Sequence, residues 1–283
     1  MAGGSNLSWS EIKVTTAGNY IETVANFFHE TNAGGVVIEQ GPGAQSSAIA
    51  YLQSGPGVED VLARLENLFS DLGENLEYSI TPIKEEDWAE EWKKYYHPVT
   101  IGSVTIKPSW LDFSGASPIV IELDPGLAFG TGIHPTTQLC VRELVKLVRP
   151  GWTVIDIGSG SGILSILAAK LGAHRVTGYE IDSMAVRIAR ENSLRNNCSV
   201  NFIEADALKG DLLQEADLLV ANIGFNAALT LLGLYADKLK AGLMVLSGFS
   251  NEQLQQLQRQ ADAAEIFVRS RTKDGWGCLV VGQ

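Results

Sequence analysis

The sequence predicts an α/β protein in which a small α+β domain precedes a larger, mostly parallel α/β domain. Three observations lead to this prediction. After Gly151, short apolar runs alternate with helical patterns, which is typical of a parallel sheet covered by helices. A glycine-rich turn, 158–162, joins the first of these runs to a helix. Before residue 84 the pattern is β-α-β-β-α-β, the order of ferredoxin-like domains.

The glycine-rich turn organises the larger domain. The apolar run 154–157 predicts a buried parallel strand, and Gly158, Gly160 and Gly162 follow it before a helix begins at Ile163. Glycines let a ligand approach the backbone closely, and a helix N-terminus offers unpaired N–H groups. The stretch therefore predicts a nucleotide-type cofactor site at the carboxyl end of a strand.

The spacing of the glycines argues against a dinucleotide. The fingerprint Gly-x-Gly-x-x-Gly requires glycine at position 163, where this chain has Ile163. The spacing here is Gly-x-Gly-x-Gly, with Asp156 two residues before the first glycine. This arrangement resembles the first motif of class I S-adenosylmethionine-dependent methyltransferases. The resemblance implies cofactor contacts at Asp156, Gly158, Gly160 and Gly162.

Two acids beyond the turn are candidate adenosine contacts. Glu180 ends the next predicted strand, 175–180, and a carboxylate there can accept both ribose hydroxyls. Asp182 is expected to cap the helix 183–192. Asp206 stands where the resemblance places an acid that contacts adenine, and an ordinary loop acid is the alternative interpretation.

Composition narrows the possible functions. The chain has 283 residues, 45% of them apolar, which is enough for two packed cores. Because it has no run of eighteen apolar residues and no signal pattern, we expect a cytoplasmic protein that does not bind a membrane. Cys140, Cys198 and Cys278 are too scattered to indicate disulfides or a metal cluster, and no metal is expected. A monomer is expected because no long exposed apolar helix is evident.

The net charge of −12 is unevenly distributed. Residues 1–96 hold fifteen acids and five bases, whereas residues 97–283 hold eighteen acids and sixteen bases. An acidic first domain argues against direct binding of nucleic acid and is compatible with a basic partner. A well-solvated surface explains the charge equally well.

The small domain, placed at residues 1–84, is predicted from six elements. Strands are expected at 7–16, 36–38, 48–52 and 76–83. The apolar residues of each helix share one face, at Tyr20, Ile21, Val24, Phe27 and Phe28 in the first and at Val58, Val61, Leu62, Leu65, Leu68, Phe69 and Leu72 in the second, which Gly73 ends. No catalytic motif is present, so we expect this domain to recognise a substrate.

A connector is placed at residues 85–110, before the large domain at 111–283. Its first part predicts a short helix, 85–96, in which Trp88 and Trp92 share a face. Strand-like stretches follow at 99–107 and 119–123.

The stretch from residue 123 to 137 is interrupted by glycines and a proline, which predicts a loop before a helix at 138–148. His134 in this loop invites a metal or general-base interpretation. No second ligand stands at a useful spacing, so a His-Pro pair that shapes the loop is the better interpretation.

The remaining strands complete the predicted sheet. The run 216–223 predicts a fourth strand with Asn222 at the switch region where ligands collect in open α/β sheets. A fifth strand is expected at 243–246. A terminal hairpin, 266–269 and 278–281, would close the sheet with an antiparallel strand, an order that resembles the methyltransferases.

Three stretches together resemble one family, the bacterial ribosomal protein L11 methyltransferases (PrmA). They are residues 86–110, residues 127–137 with the pattern Phe-Gly-Thr-Gly-x-His-Pro-Thr-Thr, and residues 154–180 together with Ala221-Asn222-Ile223. The resemblance implies a Rossmann-like class I methyltransferase domain and a ferredoxin-like domain that recognises the substrate. It also implies trimethylation of lysine side chains and of the N-terminal amine of one ribosomal protein, with S-adenosyl-L-methionine as cofactor.

The resemblance implies cofactor contacts at Thr137, Gly158, Glu180 and Asn222. This chain departs from the family at position 180, which usually holds Asp, and at Ile133, which replaces a hydroxyl residue. It also has Gly224-Phe225 after Ile223 where Leu-Ala is commoner, a change that bears on the choice of amine.

The catalytic hypothesis is that Asn222 and neighbouring carbonyls orient a neutral amine while Phe129 and Trp110 shield it from water. One rival is a methyltransferase acting on a small molecule, a base or a glutamine. Base and glutamine methylators usually carry Asn-Pro-Pro-Tyr at the fourth strand, whereas Ile223-Gly224-Phe225 follows Asn222 here. The other rival is a non-catalytic binding protein on the same scaffold.

Overall fold

The structure is a computed structural model that describes residues 9–17, 20–31, 36–40, 45–73, 75, 77–83, 97–123, 134–209, 215–235 and 242–282. Contacts divide the chain into two compact units, residues 1–97 and 98–283. The division falls inside the predicted connector. The predicted connector helix with Trp88 and Trp92, and the predicted loop with Phe129 and Ile133, lie outside the described residues.

The first unit is an antiparallel sheet with two helices. Its elements are β1 (Trp9–Ala17), α1 (Ile21–Glu30), β2 (Val36–Gln40), β3 (Gln45–Gln53), α2 (Pro56–Leu72) and β4 (Glu77–Ile83). The sheet order is β2-β3-β1-β4, with every pair antiparallel. The element order β-α-β-β-α-β is the one that the sequence predicted and is the order of ferredoxin-like domains. Alternate residues of β1, including Ile12 and Val14, pack against Phe28 and Leu65 from the helices to form the core.

The second unit begins with a small three-stranded sheet and a long helix. These elements are β5 (Val99–Ile101), β6 (Val104–Lys107), β7 (Ile119–Glu122) and α3 (Pro135–Leu147). A large sheet follows, with β8 (Thr153–Ile157), α4 (Ile163–Lys170), β9 (Arg175–Glu180), α5 (Ser183–Arg195), β10 (Asn201–Glu204), β11 (Leu218–Asn222), α6 (Phe225–Tyr235), β12 (Leu243–Ser250), α7 (Asn251–Ala263), β13 (Phe267–Lys273) and β14 (Trp276–Gly282).

The large sheet has the strand order β10-β9-β8-β11-β12-β14-β13. Strands β8 to β12 pair in parallel, whereas β14 runs antiparallel to both of its neighbours. The predicted terminal hairpin and the antiparallel closing strand are therefore confirmed. Strand order reverses between β8 and β11, so their carboxyl ends form the switch point where open α/β sheets bind ligands.

Three predicted elements need correction. The stretch 99–107 is two strands, because Gly102 adopts a φ of 63° and turns the chain into a hairpin. The helix expected to begin at residue 138 begins at Pro135, because the His134 side chain accepts a hydrogen bond from the Thr136 N–H and caps it. Strand β12 runs on to Ser250 through a bulge between Ser247 and Phe249, so it is twice the predicted length.

Candidate active site

The turn between β8 and α4 is built from three left-handed glycines. Gly158, Gly160 and Gly162 have φ values of 69°, 50° and 81°, which other residues adopt only with strain. A Cβ on Gly162 would lie 2.8 Å from a ring carbon of Phe202 in β10, so this glycine also permits close packing. The backbone N–H groups of Gly158 and Ser159 both donate to the Tyr179 carbonyl, at 2.9 and 3.1 Å. These bonds hold the turn against the end of β9.

Asp156 lies beneath the turn and caps the helix that follows. Its Oδ2 accepts from the backbone N–H of Ser165 at 3.1 Å and from the Ser165 hydroxyl at 2.6 Å. Because the residue preceding α4 is Gly162, which has no side chain, this carboxyl satisfies a helix N–H that would otherwise be unpaired. Asp156 is 1% exposed, and its Oδ1 has no hydrogen-bond partner among the described residues.

The environment of Asp156 moves its pKa up toward neutral pH. Burial raises the pKa of Asp156 to about 7, and it does so despite the two Ser165 hydrogen bonds, which lower the pKa. The negative charge of Glu180 is a smaller contribution to this raised pKa. The sequence motif indicated Asp156 but not Ser165. Ser165 can donate to Asp156 only because α4 packs back over β8.

Glu180 joins the turn to the end of β9. Its Oε2 accepts from the Gly160 N–H at 3.0 Å, and its Oε1 accepts from the Ile181 and Asp182 N–H groups at 2.8 and 3.1 Å. A carboxylate has room for about four donors, so three backbone bonds leave capacity for a further hydroxyl. The longer Glu side chain thus reaches the turn itself. Asp182 caps α5 as predicted, with Oδ1 accepting from the Met184 N–H at 2.8 Å.

Asn222 and Thr137 meet although 85 residues separate them. The Asn222 Nδ2 donates to Thr137 Oγ1 at 3.2 Å, linking the end of β11 to the first turn of α3. Thr137 is fully buried. The Asn222 Oδ1 is buried and has no hydrogen-bond partner among the described residues, so the amide presents an unused acceptor at the switch point.

Ile223 brings this pair next to the turn. A Cβ on Gly158 would lie 2.5 Å from Ile223 Cγ2, so the residue after Asn222 packs directly on the first glycine. The Ile223 N–H donates to the Ser247 carbonyl at 2.9 Å. Gly248, in the β12 bulge, lies directly under the Ile223 backbone with a φ of 101°. Sequence reasoning missed Gly248, and an isolated glycine inside a strand pattern was the available signal.

The remaining predicted residues are placed differently. Among the described residues, Asp206 bonds within its own turn, where it accepts from the Leu208 N–H at 3.0 Å and pairs with Lys209 at 3.5 Å. An adenine contact by Asp206 therefore stays a prediction. His134 caps α3, and its ring stacks edge-on against Trp276 with centroids 4.7 Å apart. Trp110 lies half-buried in a turn after β6.

The arrangement suits a ligand that carries hydrogen-bond donor or cationic groups. Its acceptors without a partner among the described residues are the buried Asp156 Oδ1 and Asn222 Oδ1, and the Glu180 carboxylate has capacity beyond its three backbone bonds. The described residues contain no cluster of three His, Cys, Asp or Glu side chains able to hold a metal. No helix in the described part of the chain is both long and apolar enough to cross a membrane.

Comparison with known proteins gives consistent matches over most of the chain. The family model for ribosomal protein L11 methyltransferase (PrmA) matches residues 8–283. The chain is 34% identical to a ribosomal protein L11 methyltransferase of Caldicellulosiruptor saccharolyticus, over 98% of this chain and 100% of that protein. It is 37% identical to one of Streptococcus pneumoniae, over 96% and 95% of the two chains. The crystal structure of a ribosomal protein L11 methylase from Lactobacillus delbrueckii subsp. bulgaricus is similar with a TM-score of 0.58 and 31% identity, covering 66% of this chain and 99% of that one.

Proposed function

The chain belongs to the ribosomal protein L11 methyltransferase family, and on that premise we propose that it methylates amines of ribosomal protein L11. The methyl donor is S-adenosyl-L-methionine, and the acceptors are lysine side chains and the N-terminal amine. The observation that carries the proposal is the hydrogen bond between Asn222 and Thr137, which places an unused amide acceptor beside the glycine-rich turn.

The residues present fit this donor. S-adenosylmethionine carries a sulfonium, an ammonium and two ribose hydroxyls, and the site offers mainly acceptor oxygens to them. We assign one ribose hydroxyl to the remaining acceptor capacity of Glu180 and place the cationic part among Asp156, Thr137 and Asn222. Gly158, Gly160 and Gly162 let the backbone approach the ligand, and Asp206 would contact the adenine. When bound, the donor supplies an electrophilic methyl group on positively charged sulfur.

The protein must hold the acceptor amine without its extra proton, because only the neutral amine has a free lone pair. Lysine in water has a pKa of about 10.4, so a neutral amine at pH 7 needs a site that disfavours its charge. Burial and a nearby positive charge both lower an amine pKa. Asn222 has an uncharged acceptor, Oδ1, that can orient an amine N–H without stabilising an ammonium as strongly as a carboxylate would. Phe129 is proposed to exclude water together with Trp110.

The first unit is proposed to recognise the substrate. Acids outnumber bases fifteen to five in residues 1–96, so attraction to a basic ribosomal protein would speed the encounter. Glu11 on β1, with Asp60 and Glu66 on α2, contributes to that charge in the described part of the unit. Action as a cytoplasmic monomer without direct nucleic-acid contact is part of the same proposal.

The test is transfer of tritiated methyl groups from the donor to a panel of purified ribosomal proteins. We expect label on L11 alone, and mass spectrometry of its peptides should place methyl groups on lysine Nζ and on the N-terminal amine. Asn222→Ala should lower kcat at saturating donor. Asn226→Ala is the matched control, because Asn226 is exposed four residues further on, and it should leave kcat unchanged.

Each other outcome identifies a different function. Label on a different protein or on a small molecule would favour a methyltransferase with another substrate. Donor binding without any transfer would favour the non-catalytic scaffold. Calorimetry that detected no association with the donor would overturn the proposal as a whole.

A further inference from the structure

The turn that would hold the donor is bonded to the C-terminal end of α5. Asn192, in the last turn of α5, is 2% exposed. Its Nδ2 donates to the backbone carbonyl of Ser161 at 2.9 Å, in the middle of the glycine-rich turn. Its Oδ1 accepts from Arg195 at 3.2 Å. Both the Nδ2 and the Oδ1 of this buried amide are therefore hydrogen-bonded, and the Nδ2 bond holds the backbone of the glycine-rich turn.

Asn196, four residues later, holds the end of β7 in the same way. Its Oδ1 accepts from the Glu122 N–H at 2.9 Å, and its Nδ2 donates to the Glu122 carbonyl at 2.7 Å. These two hydrogen bonds satisfy the N–H and the carbonyl of Glu122 as a neighbouring strand would. They hold the last residue of β7 in place. Glu122 stands just before residues 124–133, the stretch that carries Phe129. Its carboxylate is in turn paired with the buried Lys107 at 2.7 Å.

The two asparagines are also joined to each other. The Asn196 Nδ2 donates to the Asn192 backbone carbonyl at 2.9 Å, so both side chains depend on the same turn at the end of α5. Lys170, at the end of α4, donates to the Asn196 carbonyl at 3.3 Å. The C-terminal turn of α5 thus contacts three elements that approach the site from different parts of the sequence.

We propose that Asn192 and Asn196 are positioning residues that set the glycine-rich turn and the exit of β7 in a fixed relation to each other. Asn192 acts on donor binding, because it determines where the Ser161 carbonyl and the N–H groups around it lie. Asn196 acts on the transfer step through Glu122, because Glu122 precedes in sequence residues 124–133, which include the Phe129 that the proposed function uses to exclude water. This inference rests on the proposed function.

The physical basis is that buried carbonyls need donors. Removing the Asn192 side chain takes away a donor from the buried Ser161 carbonyl, and removing the Asn196 side chain takes away a donor from the part-buried Glu122 carbonyl. Either loss favours a small movement of the backbone toward another donor. In a site whose ligand contacts are backbone groups, such a movement changes ligand contacts directly. A purely structural role would lower stability and leave these contacts intact in the molecules that remain folded.

The test is titration calorimetry with the donor, because its stoichiometry reports the folded fraction whereas its Kd reports the folded molecules. We expect Asn192→Ala and the nearly isosteric Asn192→Asp to raise the donor Kd roughly tenfold, the usual effect of one buried hydrogen bond. We expect Asn196→Asp, which keeps the acceptor for Glu122 and loses both donations, to lower kcat with the donor Kd within about twofold of wild type. Asn201→Ala, at an exposed asparagine nearby, is the control and should change neither quantity.

The outcomes separate this inference from the function on which it rests. Reduced stoichiometry with an unchanged Kd for the Asn192 variants, or an unchanged kcat for Asn196→Asp, would show a structural role alone and overturn the inference. Failure of the wild-type protein to bind the donor would instead overturn the proposed function, and this inference would fall with it.

Discussion

The backbone of Ile223 crosses directly over Gly248, so that a Cβ placed on Gly248 would lie 2.7 Å from the Ile223 carbonyl carbon. Gly248 stands in the bulge of β12 and has a φ of 101°, a conformation that strains other residues. Ile223 in turn packs on Gly158 and follows Asn222. The bulge therefore sets the position of the site residue at the end of the neighbouring strand.

Gly248→Ala is expected to destabilise the protein by about 2–4 kcal/mol, since the new methyl meets backbone that cannot move aside easily. It should also weaken donor binding in the molecules that stay folded. Chemical denaturation and calorimetry measure the two effects. Gly233→Ala is the control, because a Cβ there, in the last turn of α6, meets nothing within 4 Å. That variant should be neutral or more stable, by about 0.5–1 kcal/mol. Equal stability of the two variants would contradict the prediction.

The bond between Thr137 and Asn222 can be measured with a double-mutant cycle. Thr137→Val and Asn222→Ala should each weaken donor binding by about 1–2 kcal/mol, and the double variant should lose less than the sum of the two. The expected coupling is about 0.5–1.5 kcal/mol, because the residues share one hydrogen bond. Thr230→Val, at an exposed threonine on α6, serves as control. Strictly additive losses would show that the contact does not contribute to the site.

Glu180→Ala removes the carboxylate that accepts from Gly160, Ile181 and Asp182. We expect donor binding to weaken by about 1–3 kcal/mol, because charge-assisted bonds to the turn and to the ribose are lost together. Glu204→Ala is a close control, since Glu204 lies opposite Glu180 in the adjacent strand but is exposed. Calorimetry with the donor and with adenosine alone separates the ribose contact. Unchanged affinity for both ligands would refute the ribose assignment.

Asp156 should make stability depend on pH. Its pKa is about 7 in the folded protein, against about 3.9 when the chain is unfolded. Between these values the folded state binds more protons than the unfolded state, so the stabilisation is full below about pH 4 and is lost as pH rises toward 7. Relative to Asp156→Asn, the wild type should therefore gain on the order of 2–4 kcal/mol between pH 7.5 and 4.5.

Denaturant unfolding of both proteins across this range measures the difference directly. Asp262→Asn, at an exposed position on α7, is the control and should track the wild type. A difference between wild type and Asp156→Asn that stays constant with pH would show that Asp156 does not titrate in this window.

Much of the site was predictable because it consists of residues at strand ends. Parallel strands place their carboxyl ends along one edge, so the glycine turn after β8, Glu180 after β9 and Asn222 after β11 were expected to converge. Their local contacts follow from the chain order, as in the hydrogen bond from Gly160 to Glu180. The functional roles assigned to them stay predictions, as does that of Asp206, whose described bonds lie within its own turn.

The sequence by itself determined the two kinds of sheet, the succession of strands and helices along the chain and the glycine-rich turn, because periodicity and glycine spacing are local properties of the chain. Only the tertiary structure decided that Ser165 would hold Asp156, that Gly248 would lie under Ile223, and that Asn192 and Asn196 would clamp two distant backbone segments. The physical reason is that a buried carbonyl or carboxylate takes its partner from whatever element packs against it. Packing between elements far apart in sequence determines that partner, so a local sequence pattern does not predict it.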